Sequence, residues 1–95
     1  MSGISRAELA IGTRIYYKGD MANLSGFGSV IAHREATNYS PWSVDIELED
    51  GRKMRGIWVQ NFGRGERGGY RFLLASDYEA DQRRRFEAFL GPRPA

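Results

Sequence analysis

The chain of 95 residues predicts a mainly β fold, a small, strongly bent antiparallel barrel of five strands followed by one C-terminal helix. Three observations lead there. Short segments alternate apolar and polar side chains with period two. Glycine, Asp and Asn punctuate them at close spacing. After Leu74 the period changes to that of a helix. The resulting organisation is one domain, with residues 1–11 as an N-terminal flap, 12–74 as the barrel, 76–90 as the helix and 91–95 as a tail.

From the N-terminus, Ser5 and Glu8 have the spacing of a capping box and with Leu9 predict a turn or two of helix before Gly12. Residues 13–18 follow as the first strand. Ile15 and Tyr17 lie on one of its faces, and Arg14, Tyr16 and Lys18 on the other. Gly19-Asp20 turns the chain, residues 21–28 read as loop, residues 29–36 as the second strand, and 37–41, polar with a proline, as another loop.

Residues 42–58, WSVDIELEDGRKMRGIW, carry the clearest strand-turn-strand signal. Val44, Ile46 and Leu48 alternate with Asp45, Glu47 and Glu49, and Asp50-Gly51 supplies the turn. A two-residue turn would set Ile46 opposite Arg55 and mix charge into the core face. A three-residue turn with Gly51 left-handed instead pairs Ile46 with Met54, Glu47 with Lys53, Asp45 with Arg55 and Trp42 with Trp58. Opposite-charge pairs across strands contribute roughly 0.2 to 1 kcal/mol each, which favours this second register. It also leaves Ile57 and Val59 on the face opposite Trp58, so that this strand needs cover on both sides.

The glycine-rich segment 63–69 connects to a short last strand at 70–74. Ser76 and Glu79 then form a second capping box, and Gly91-Pro92 ends the helix. Tyr78, Gln82, Phe86, Phe89 and Leu90 share one helical face, the expected cover for Ile57 and Val59. Burying Phe86 and Phe89 would contribute about 1.5 to 3 kcal/mol each.

Composition narrows the function classes. Apolar content is 41% with 12 aromatic residues, which is globular. No run approaches the roughly 18 apolar residues of a membrane span, and the N-terminus lacks a basic-then-apolar leader, so a cytoplasmic location is expected. There is no cysteine for a disulfide or a thiol nucleophile, and the single histidine, His33, argues against zinc. Asp45, Glu47 and Glu49 share a strand face, but their pairing with Lys53 and Arg55 argues against a cation site. Nothing sets Ser, His and Asp in a catalytic relation, so no catalytic residue, cofactor or metal is assigned and the chain reads as non-enzymatic.

Charge is distributed unevenly. Residues 1–51 hold four basic and seven acidic side chains, whereas 52–72 hold Arg52, Lys53, Arg55, Arg64, Arg67 and Arg71 against Glu66 alone. A positive field on the second hairpin strand and the following loop suits phosphates. Segment 63–69 lacks the Lys-Ser/Thr of a nucleotide P-loop, which leaves two readings: a flexible hairpin connection, or a basic finger in which Arg64 and Arg67 meet phosphates. Tyr16 between Arg14 and Lys18 adds the mix of stacking and charge that single-stranded nucleic acid uses.

Two family resemblances sit on these elements. The run GTRIYYKGDMANLSGFGSVIA, residues 12–32, with VDIELEDGR after it, resembles the KOW and Tudor-like branch of SH3-like barrels over residues 12 to 62. That resemblance implies a binding module for nucleic acid or peptide. Residues 23–28, NLSGFG, are similar to the Asp/Asn-x-Ser-x-x-Gly motif of PilZ domains. Gly69, Tyr70, Arg71 and Phe72 before the helix resemble that family's ending, although its Arg-x-x-x-Arg motif is missing upstream. This second resemblance implies a cyclic di-GMP sensor or adaptor using Asn23, Ser25 and Gly28. The expected function is therefore nucleic-acid binding through Arg14, Tyr16, Lys18, Arg52, Lys53, Arg55, Arg64, Arg67 and Arg71. A third class is a homodimer or protein-interaction module, with Ile57, Val59 and Leu73 as the apolar patch.

Overall fold

The computed structural model describes residues 4–64 and 70–90. Strands β1 (Arg14–Tyr17), β2 (Gly26–Arg34), β3 (Ser43–Leu48) and β4 (Lys53–Trp58) form an antiparallel meander. Two short strands follow, β5 (Phe62–Gly63) and β6 (Phe72–Leu74), and then helix α1 (Ala75–Leu90). The sheet order is β4-β3-β2-β1-β6-β5, curled into a half-barrel. The expectation of five antiparallel strands is corrected on two counts: there are six, and β5 runs parallel to β6. Two-residue β5 is too short to show any period, and it exists because β6 is there to pair with it. A 3-10 turn at Val59–Asn61 brings the chain to it from β4.

The core lies inside the curl. Ile15 and Tyr17 of β1, Val30 of β2, Val44 and Ile46 of β3, and Phe72 of β6 are buried, as period-two alternation requires. β2 starts at Gly26, inside the segment expected as loop, because Tyr16 and Tyr17 already pair with Phe27 and Gly26. Gly28 lies opposite Leu48, and a Cβ there would stand 2.5 Å from the Glu47 carbonyl oxygen. The close approach of β2 and β3 thus requires glycine at this position.

The N-terminal segment is part of the core rather than a flap. The Ser5 amide donates to Glu8 Oε1 at 2.9 Å, and the Glu8 amide donates to Ser5 Oγ at 3.3 Å, the reciprocal capping box the spacing predicted. It starts a single 3-10 turn, Ala7–Leu9, that drives Leu9 and Ile4 into the interior.

The hairpin keeps half of its expected register. Ile46 faces Met54, Glu47 faces Lys53, and Gly51 is left-handed at φ +94°. Beyond Ile46 the ladder shifts by one residue, so that Val44 faces Ile57 and Ser43 faces Trp58. The expected Trp42–Trp58 and Asp45–Arg55 pairs therefore do not form. Gly56, at φ +66°, is the extra residue of a β-bulge, and its amide donates to Asp45 Oδ1 at 2.9 Å. The bulge turns Ile57 inward onto the core and leaves Trp58 facing out, 45% exposed. With Val59 also packed against the core, this strand needs no cover from the helix.

α1 packs instead on the outer face of β1 and β6. Tyr78 stacks on Tyr16 with ring centroids 3.7 Å apart, and Phe27 meets both edge-on. The helix begins at Ala75, directly after β6, which places Ser76 inside its first turn rather than at a cap. Sixteen residues of helix extend about 24 Å, longer than the two strands offer surface for. Residues 83–90 are all exposed, and Phe86 and Phe89, expected to be buried, are 61% and 86% exposed. The expected stop at Gly91-Pro92 lies outside the described residues.

Gly28→Ala is expected to destabilise the domain by about 1 to 3 kcal/mol, the usual range for overpacking. Gly26→Ala, whose Cβ would meet only an Arg52 side-chain nitrogen at 3.8 Å, should leave the urea midpoint almost unchanged. Equal midpoints for the two variants would refute the close-approach explanation.

Candidate nucleic-acid interface

Strand alternation places Arg14 and Tyr16 on the outer face of β1, as expected, but both are already engaged by other side chains. Tyr16 is half-buried under Tyr78. Arg14 lies over the Phe27 ring at 4.4 Å and pairs with Glu49 and Glu79, each at 3.4 Å. The expected stacking surface at Tyr16 is thus the docking site of α1. The sequence pattern puts Tyr78 on the apolar face of the helix but carries no signal for which strand that face meets, and the strand is β1 rather than β4.

Arg64 and Arg71 are drawn into ion pairs as well. Arg64 engages Glu8 of the capping box. Arg71 Nη1 lies 3.0 Å from Asp20 Oδ2, while the Lys18 amide donates to the Arg71 carbonyl at 2.9 Å. Arg67 and the rest of segment 65–69 lie outside the described residues. Two of the expected cations therefore act as staples: one holds the N-terminal turn to the end of β5, the other holds the β1–β2 turn to the start of β6.

Asp20 is the hub of that second staple. Its carboxylate accepts from the Ala22 amide at 2.8 Å, from the Tyr17 hydroxyl at 2.9 Å, and from both the amide and the side chain of Asn23. These donors, led by the Ala22 amide, hold its pKa at about 2. The hydrogen bond from Arg64 is the main reason that Glu8 also sits at about 2. Asn23 thus has a turn-forming role, and Gly28 a strand-pairing one. Of the PilZ-like trio only the exposed Ser25 carries no such structural duty.

Lys18 follows β1, whereas Arg52, Lys53 and Arg55 converge on β4. Arg52 precedes it, with Nε donating to Asp50 at 2.7 Å and Nη2 to the Leu24 carbonyl at 2.9 Å. That second bond brings the β1–β2 loop beside the β4 edge, where Asn23, Arg52, Lys53, Met54, Arg55 and Ile57 line an open groove of about 450 Å³. Lys53 and Arg55 are exposed, and neither is engaged in an ion pair among the described residues. β4 is an edge of the sheet, and lysine, arginine and a bulge are the features that keep such an edge from pairing with another strand.

One arrangement was not anticipated. Arg34 of β2 forks Asp45 of β3 through Nε and Nη2 at 2.8 and 3.1 Å. Asp45 is only 8% exposed, and the Arg34 fork is the leading cause that lowers its pKa. The pair is diagonal across β2 and β3, where Asp45 faces Ala32 and Arg34 faces Ser43 beyond a register shift between Val30 and Ala32, so no pairing rule applied to the hairpin alone could find it.

Other expected sites resolve into structural roles. His33 Nε2 lies 2.7 Å from the Leu9 carbonyl oxygen and its ring meets Trp42 edge-on, which ties the N-terminal turn to β2. Leu73 is fully buried, and Ile57 and Val59 pack on the core, so these three make no exposed apolar patch. Among the described residues no group of three or more His, Asp or Glu side chains is placed to hold a metal ion. No described helix is long and apolar enough to cross a membrane. No family model, curated protein or solved structure matches the chain.

Because the folded-state pKa values of Asp20 and Glu8 lie below their ordinary values of 3.8 and 4.5, their stabilisation is complete above about pH 4.5. It is lost as the pH falls toward about 2. Thermal melts followed by circular dichroism should therefore drop steeply across that window. Asp20→Asn should flatten the drop, and an unchanged slope in that variant would refute the assignment.

Proposed function

We propose that the chain is a non-enzymatic, cytoplasmic, SH3-like binding module for nucleic acid, acting through the β4 edge and its groove. The bent meander of β1 to β4, with β6 returned beside β1, supports the SH3-like reading. The observation that carries the function is the grouping of Arg52, Lys53 and Arg55 around one open groove. Lys53 and Arg55 remain available there, while Arg14, Arg64 and Arg71 are tied to carboxylates. The proposed interface is therefore smaller than charge counting along the chain implied. A cyclic dinucleotide is the less supported ligand, since Asn23 and Gly28 already serve the turn and the β2–β3 approach.

Titration of a labelled oligonucleotide should show binding that weakens as salt rises. Replacing Lys53 and Arg55 by alanine should lower the slope of log K against log salt by about 0.7 to 0.9 for each phosphate that is no longer neutralised. Absence of binding at low salt, or binding indifferent to salt, refutes the function.

Self-association is favoured by a different observation from the one expected. Phe86, Phe89 and Leu90, at i, i+3 and i+4 of α1, present one exposed apolar strip to a second copy of the chain. Light scattering should report a dimer that Phe86→Glu dissociates, and a monomeric wild-type protein at high concentration would end this reading.

A further inference from the structure

We infer that Trp58 is the base-stacking platform of the β4 interface and that the site selects single-stranded over duplex nucleic acid. The inference rests on the binding function proposed above and names its substrate class.

The placement of the indole follows from the register. Ser43, Asp45 and Glu47 alternate in sequence with Val44 and Ile46 of the core, so all three lie on the outer face of β3, where Ser43 and Asp45 are themselves buried. Lys53 and Trp58, the partners of Glu47 and Ser43, must then share that face on β4. Arg55 falls between inward-facing Met54 and the bulge at Gly56, which directs it outward too. Lys53, Arg55 and Trp58 thus form one row on the outer face, in which Lys53 and Arg55 also line the groove and Trp58 stands beyond it. Arg55 and Trp58 are three residues apart, roughly 10 Å along a strand.

Chemistry favours a polyanion with open bases. Trp58 is 45% exposed and among the described residues makes no ring contact with the aromatic clusters of the fold, whereas Tyr16, Phe27 and Tyr78 are taken up with one another. The acidic groups on this face do little to repel phosphate. Asp45 is buried and forked by Arg34, and Glu47 stands opposite Lys53. Phosphates can meet Lys53 and Arg55 while a base lies on the indole. In a duplex each base face is covered by its neighbours, so only an unstacked base can reach the ring. The indole is also well anchored. Its backbone is paired to Ser43, and the next amide, that of Val59, donates to the Trp42 carbonyl at 3.3 Å.

The test titrates a labelled oligothymidylate and a duplex of equal length at low and moderate salt, using the wild type, Trp58→Leu and Trp58→Tyr. Circular dichroism confirms folding of each variant. The wild type should bind the single strand more tightly. Trp58→Leu should lose roughly 5- to 150-fold in single-strand affinity with its salt slope and duplex affinity unchanged, and Trp58→Tyr should recover most of the loss. Salt-dependent binding of both forms, equal in wild type and Trp58→Leu, overturns this inference and leaves the binding function standing. If neither form binds at low salt, both are overturned.

Discussion

The carboxylate of Asp45 governs much of what the sheet presents to solvent. At 8% exposure it cannot remain charged without donors, and it has three: two from the Arg34 guanidinium and one from the Gly56 amide. Holding that amide inserts Gly56 as an extra residue in β4, and glycine adopts the required positive φ without a Cβ penalty. One bulge then reverses the parity of the strand beyond it. Ile57 turns to the core and Trp58 turns to solvent. A ladder without the bulge would place Trp58 inside and leave two apolar residues on the outer face.

Arginine has two different uses in this small domain. Arg6, Arg14, Arg64 and Arg71 each reach a carboxylate far away in sequence, and so tie distant segments together beside the sheet hydrogen bonds. Exposed pairs of this kind contribute about 0 to 1 kcal/mol each, so their value lies in fixing where loops sit rather than in bulk stability. Lys53 and Arg55 stand apart from that use: Asp45 is taken by Arg34 and the Gly56 amide, and although Lys53 faces Glu47 across the strands, neither cation closes an ion pair among the described residues. A polyanion approaching the β4 edge therefore meets charge that is not already committed.

Aromatic residues are divided in a similar way. Tyr16, Phe27 and Tyr78 form a cluster on the convex side that docks the first turns of α1, and Arg14 closes it through the face of Phe27. Tyr17, Phe62 and Phe72 fill the concave side, where stacking and burial combine. Trp58 belongs to neither group. It is the large ring that the bulge leaves beside cations, which gives the outer face of β4 its distinct chemistry.

Much of the fold was legible in the residues themselves. Alternation in residues 13–18 and 44–48, the left-handed Gly51, the Ser5–Glu8 capping box and a C-terminal helix all follow from local rules, since each depends on neighbours a few residues away. Of the interface, the cluster Arg52, Lys53 and Arg55 was visible as a run of charge. Three things were decided only by the folded chain: the bulge at Gly56, the docking of α1 on Tyr16, and the pairing of Arg14, Arg64 and Arg71 with distant carboxylates. Each needs a partner from another element, and a sequence records neither which carboxylate lies within reach of a guanidinium nor which sheet face a helix will meet. The hydrophobic pattern specifies which side of a strand is inward, but a single inserted residue reverses it, and only the capture of the Gly56 amide by Asp45 shows where that insertion falls.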